Sequence, residues 1–240
     1  MKRIIVAITG ASGAIYGVRA LQALRESGDV EIHLVISPSA ARTLREETDF
    51  SMDYVRALAH VVHNHKDIGA SIASGSFKTE GMIVAPCSVK TLSGIAHCYD
   101  EDLVIRAADV CLKERRRVVL LFRETPLHAG HISLMDLATR MGAIIMPPIP
   151  SFYNRPQVIA DIVNQSVGRM LDLLNMNNNL VTRWTGTNAA AKARSSAALV
   201  NMNGLAERNP LPRTRAPSTG KSGERRISSP AKADPLPSGN

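Results

Sequence analysis

Residues 3–28 read RIIVAITGASGAIYGVRALQALRESG, and the hydrophobic period changes within them. Residues 3–9 are continuous and rich in β-branched side chains, the pattern of a strand buried on both faces, and Gly10 stops them. Ile15, Val18, Leu21 and Leu24 then recur at helical spacing over 14–27, and Gly28 closes that helix. The same exchange is repeated downstream. VEIHLVIS (30–37) is a second strand, and Pro38 opens a helix at the first turn, where its missing N–H costs nothing. Residues 51–80 are less regular: SMDYVRALA (51–59) admits a helix, whereas NHKDIGASIASGSFKTEG (64–81) is a loop with several turn residues. Strand 81–86, helices 88–97 and 101–115, strand 117–122, helix 130–141, strand 143–146 and helix 156–174 follow. Strands alternating with helices predict an α/β fold, a doubly wound parallel sheet with right-handed crossovers and helices on both faces.

The chain has 240 residues, enough for one sizeable α/β domain and a tail. Its formal charge of +8 is unevenly spread. Residues 186–240 hold nine Lys/Arg and three Asp/Glu, so residues 1–185 carry a net charge of only +2. A basic nucleic-acid-binding face is therefore not indicated for the folded part. Residues 186–240 are basic and rich in Pro and Ser, with six of the thirteen prolines. Such a segment buries too little apolar surface to offset its ordering entropy, so the expected division is a domain over 1–185 and a disordered tail over 186–240.

Cys87, Cys98 and Cys111 form neither a CxxC pair nor a Cys/His metal spacing, and an odd, sparse count suits a reducing compartment. The apolar run after the basic Lys2-Arg3 ends at Thr9-Gly10, too short for a signal peptide, and no segment approaches the roughly 20 apolar residues of a membrane span. A cytoplasmic location is expected, with no membrane partner.

Ligands of doubly wound sheets sit at the carboxyl ends of the strands, near a switch in strand order. The residues just past the strands are Gly10-Ala11-Ser12-Gly13, Ser37, Cys87-Ser88, Arg123-Glu124 and the loop PPIPSFYNRP (147–156). TGASGA (9–14) lacks the GxGxxG spacing of a dinucleotide fingerprint, yet its glycines and the helix start behind it favour an anion; it equally serves as a plain structural turn. In EGMIVAPCSVKTLSGIA (80–96), Ser88 can be an N-cap and Cys87 a small buried residue. Lys90 in the same first turn opposes the helix dipole unless an anion or carboxylate lies near, or the side chain is solvated. Arg123 suits bidentate phosphate binding, against the alternative of a surface Arg–Glu pair with Glu124. His128 and His131 read as helix-entry residues. Tyr153 can pack on an apolar group and hydrogen-bond a phosphate, or plug the core with Phe152. Arg169 in VGRMLDLL (167–174) reads as a helix-surface charge.

Taken together, ITGASGAIYG (8–17), EETD (46–49), SGSFKTEGMIVAPCSVKTLSGIA (74–96), VIRAADVCLKERR (104–116), FRETPL (122–127), PPIPSFYNRP and Arg183-Trp184 resemble, in order, the flavin prenyltransferase family of UbiX type. The resemblance covers roughly residues 1–185. It implies a flavodoxin-like fold and transfer of the dimethylallyl group of dimethylallyl phosphate to N5 and C6 of reduced FMN. The prenylated FMN would serve a partner UbiD-type decarboxylase of aromatic or phenolic acids. Carried over by position, Gly10, Ala11, Ser12, Ser37, Ser88, Val89, Lys90, Thr91 and Arg123 would hold FMN. Lys113, Glu124, Tyr153 and Arg169 would meet dimethylallyl phosphate, with Ser12 and Glu47 close to the reacting centre. No metal is expected, and a homo-dodecamer is. Phe122, where the family usually has proline, and LHAGHISLM (127–135) depart from the family pattern. Two other readings compete: an FMN-dependent cysteine-type decarboxylase of the same fold, which needs a catalytic His and a different loop at 147–156, and a non-catalytic flavin carrier.

Overall fold

The computed structural model describes residues 1–181 and 183; the expected tail lies outside them. Six parallel strands, β1 (Lys2–Ile8), β2 (Val30–Ile36), β3 (Val61–His63), β4 (Gly81–Cys87), β5 (Arg117–Phe122) and β6 (Ala143–Ile145), form one sheet in the order β3-β2-β1-β4-β5-β6. Without the short edge strand β3, the order is that of the flavodoxin-like sheet. The connecting helices are α1 (Ala14–Ser27), α2 (Pro38–Glu47), α3 (Met52–Ala57), α4 (Val89–Ala96), α5 (Leu103–Lys113), α6 (Ala129–Arg140) and α7 (Ile159–Leu173).

Alternation along β1 divides the core. Ile4, Val6 and Ile8 face a cluster that includes residues of α1, α2, α3 and α7, while Ile5 and Ala7 face one that includes residues of α4, α5 and α6. All seven β4 residues are buried, the mark of a central strand covered on both faces. Helix α1 lies close over β4 because residue 17 is glycine: a Cβ there would run into the Ala85 carbonyl and the Ile8 side chain.

The structure differs from the sequence expectation at three places. Strand β3 falls just ahead of the expected loop; it is three residues long, pairs with β2, and lacks an alternation long enough to read. Helix α5 starts at Leu103 because the Asp102 side chain caps it by accepting from Ile105 N at 3.1 Å. Helix α7 starts at Ile159, since the Asp161 carboxylate draws the amides of Gln157 and Val158 (2.8 and 3.2 Å) into a turn before it.

Candidate active site

β1 pairs with both β2 and β4, so the chain leaves the sheet in opposite directions on the two sides of β1, and a crevice opens at the carboxyl ends there. Thr9, which sequence reasoning passed over, fixes its floor. Its hydroxyl donates to the Pro86 carbonyl at 2.7 Å and accepts from Ser88 N at 2.9 Å, tying the loop after β1 to the loop after β4. The signal was there to read: Thr9 is the first hydroxyl after an apolar strand. Arg123 N donates to the Cys87 carbonyl at 3.1 Å and Ser37 N to the Ile8 carbonyl at 3.1 Å, which bring the ends of β5 and β2 to the same edge.

Ser12 and Glu47, 35 residues apart in sequence, meet at this edge. Glu47 ends α2, and its Oε2 accepts from Gly13 N at 2.7 Å and Ala14 N at 3.0 Å. Gly13 reaches this geometry with φ of 102°, a left-handed conformation that favours glycine. Partial burial pushes the Glu47 carboxyl upward, but hydrogen bonds from Ser12, Gly13 and Ala14 and the charge of Arg123 outweigh it and hold the pKa below the usual carboxylate range. Two amides of the glycine turn that suggested an external anion, those of Gly13 and Ala14, are thus occupied by an internal one.

The first turn of α4 remains open. Ser88 is its N-cap: Oγ accepts from Thr91 N at 3.3 Å and lies 3.1 Å from Thr91 Oγ1, while its carbonyl takes Leu92 N at 2.9 Å. Among the described residues, that pattern leaves the amides of Val89 and Lys90 as the unclaimed donors of the turn. Lys90 is there through its backbone, because its ammonium pairs with Glu101 at 3.1 Å. The carboxylate of Glu101, not an external anion, is therefore what offsets the dipole penalty. Ser37 likewise caps α2, accepting from Ala40 N at 3.1 Å. Gly10 is needed for closeness, since a Cβ there would strike the Ser39 side chain. Cys87 is buried and its thiol is pushed far up by burial, so it is packing and not a nucleophile. Glu124 accepts from its neighbour's amide, Thr125 N, at 2.9 Å.

Lys113 and Arg169 stand away from this cluster within one chain. Lys113 closes α5 just before β5 begins, at the amino edge of the parallel sheet, and pairs with Glu114 at 2.7 Å. Arg169 stands about 15 Å along α7 from its start, near the end that Arg117 of β5 ties down by donating to the Leu173 carbonyl at 2.7 Å. Its guanidinium pairs with Asp172 at 2.9 Å. Tyr153, in the loop after β6, accepts from Nε2 of the buried Gln165 at 2.9 Å. Gln165 and Asp172, both in α7, were not singled out by sequence; their positions relative to Tyr153 and Arg169 depend on the packed helix. His128 caps α6 by accepting from Gly130 N at 3.0 Å, and His131 stacks on it at 3.8 Å. Among the described residues, no group of three or more His, Cys, Asp or Glu side chains is placed to hold a metal ion, and no helix is long and apolar enough to cross a membrane.

A doubly wound sheet whose switch-point crevice offers one open helix turn, without a dinucleotide loop, defines a flavodoxin-like mononucleotide-binding protein. The sequence matches the Flavoprotein family over residues 1–171. It is 58% identical over 188 residues, 78% of this chain and all of the relative, to the flavin prenyltransferase UbiX of Escherichia coli K12. Two solved structures are similar. AnUbiX in complex with FMN and dimethylallyl pyrophosphate superposes with a TM-score of 0.76 and 51% identity, covering 78% of this chain and 99% of that one. The dodecameric FMN-dependent UbiX-like decarboxylase from Escherichia coli O157:H7 gives 0.75 and 50%, covering 77% and 100%. The chain belongs to the flavin prenyltransferases of the Flavoprotein family.

Proposed function

We propose that the crevice between β1 and β4 binds FMN and that the protein transfers a dimethylallyl group from dimethylallyl phosphate to reduced FMN, making prenylated FMN for a UbiD-type decarboxylase. The observation that carries this is the pairing of the open first turn of α4 with the Ser12–Glu47 cluster on one sheet edge. The amides of Val89 and Lys90 with the Ser88 and Thr91 hydroxyls form a phosphate cradle, and Arg123 adds charge. Gly10, Ala11 and Ser37 shape the wall beside it. Reduced FMN supplies the nucleophilic N5 and C6 atoms.

Ser12 backed by Glu47 offers a hydroxyl that can take up a proton while passing its own to the Glu47 carboxylate. Breaking the allylic C–O bond of the donor leaves a phosphate dianion. Lys113, Arg123, Tyr153 and Arg169 stabilise it, with Glu124 beside them, and no metal is needed for a monophosphate gripped by cations. Lys113 and Arg169 stand at the amino edge of their own sheet, so we assign them to the site of a neighbouring copy. The dodecameric assembly named for the Escherichia coli O157:H7 relative supports that arrangement. Similarity over 78% of the chain to a flavin prenyltransferase disfavours the cysteine-type decarboxylase and carrier readings. The three free cysteines support a cytoplasmic location.

The test is direct. Purified protein, reduced FMN and dimethylallyl phosphate should yield a flavin heavier by one dimethylallyl group less the displaced proton. An unchanged flavin mass, with FMN bound, rejects the activity.

A further inference from the structure

Asp172 is the hub of a polar cluster at the end of α7. Its Oδ2 accepts from Arg169 Nη1 at 2.9 Å and from Arg183 Nη1 at 3.1 Å; its Oδ1 accepts from Arg183 Nη2 at 2.9 Å and Asn178 Nδ2 at 3.0 Å. The carboxylate side chain is only 15% exposed, whereas those of Arg169 and Arg183 are 51% and 57% exposed. Two guanidiniums would repel one another without a shared anion, and one carboxylate cannot neutralise both. A net positive charge is therefore left facing outward. The pattern of bonds is also uneven. Arg183 spends two Nη groups on Asp172, while Arg169 spends one, which among the described residues leaves Nε and Nη2 of Arg169 as an unclaimed fork of the kind that grips a phosphate.

We infer that Asp172 is the positioning residue of the donor-phosphate site: it aims the unclaimed fork of Arg169 and holds Arg183 beside it as a second cation for the same phosphate. This rests on the reading above that Arg169 meets the prenyl donor. Asn178 fixes the carboxylate from behind, since its Nδ2 also donates to the Gly168 carbonyl at 3.2 Å. Bonds from Arg183, Asn178 and Arg169 outweigh the upward push of burial and hold the Asp172 carboxyl below its ordinary range, so the clamp is charged at neutral pH.

The experiment uses the full-length protein with reduced FMN and measures kcat and KM for dimethylallyl monophosphate, with FMN affinity as a control. Asp172→Asn should raise KM for the donor about tenfold with FMN affinity unchanged, and Asp172→Glu should recover most of the loss. Added to Arg169→Gln, Asp172→Asn should cost little more, because the two act as one unit. Arg183→Gln, which keeps the Arg169–Asp172 pair, should raise KM about threefold. A normal KM in Asp172→Asn alongside a raised one in Arg169→Gln overturns the inference and leaves the function intact. A normal KM in Arg169→Gln removes Arg169 from the donor site and the inference with it. Should Asp172→Asn not fold, Arg183→Gln and Asp172→Glu decide: a normal KM in Arg183→Gln overturns the two-cation site.

Discussion

At Glu47 a single carboxylate does two jobs, capping α1 through Gly13 and Ala14 and polarising Ser12. Its pKa is lowered on folding, so the stability it contributes is present above the ordinary carboxylate range and is lost as pH falls through the lowered folded value. The acid limb of the prenylation rate should accordingly fall below that range, and Glu47→Gln should abolish the limb and most of the rate. A pH–rate profile of both proteins reads this out. Because Glu47 lies at the surface, its removal to Ala should cost only about 1 kcal/mol of stability. Tyr153 combines a surface position with a bond from buried Gln165. Tyr153→Phe removes one hydrogen bond to the donor phosphate, about 1.5–3 kcal/mol if charge-assisted and made in the transition state, or roughly 10–100-fold in rate. FMN affinity should stay within about twofold. Collapse of FMN binding with normal turnover of the remaining holoprotein would reverse the roles assigned to the two ends of the site.

Among the elements, α1 and β4 set the crevice because Gly17 lets them approach to backbone contact. Gly17→Ala should destabilise the fold by about 1–3 kcal/mol through overpacking against Ala85 and Ile8. It should weaken FMN binding as well, since a displaced α1 carries Gly13 and Ala14 away from Glu47. A lowered denaturation midpoint with unaltered FMN affinity would separate packing from site geometry. Helix boundaries were readable where a residue close in sequence sets them: Pro38, Ser88 and Gly28 all mark ends that the structure keeps. They were less readable where a later residue competes for the amides, as Asp161 does ahead of α7.

For the molecule as a whole, the separation of Lys113 and Arg169 from the Ser12–Glu47 edge has a consequence. If neighbouring copies complete each other's sites, Lys113→Ala and Glu47→Gln chains should each be inactive, yet activity should return when the two are refolded together. A mixture that stays inactive would place the whole site within one chain. Light scattering should also report a large assembly and not a monomer. A chain ending at Thr187 should prenylate FMN normally, since the entire Escherichia coli K12 relative is matched within 188 residues; loss of folding would show that the basic segment contributes to the core.

The sequence by itself determined the α/β alternation, the parallel sheet and the residues past each strand, because hydrophobic period and glycine or proline punctuation are local properties of the backbone. The family resemblance placed Glu47, Lys113 and Arg169 on the list without saying what each would touch. Only the tertiary structure decided that Glu47 fills the α1 amides, that Lys90 turns to Glu101, and that Asp172 gathers Arg169 and Arg183. Those pairings join different elements, or turns of one helix to the chain beyond it. Which charge finds which partner is settled by how helices pack on a twisted sheet, and no local pattern encodes that.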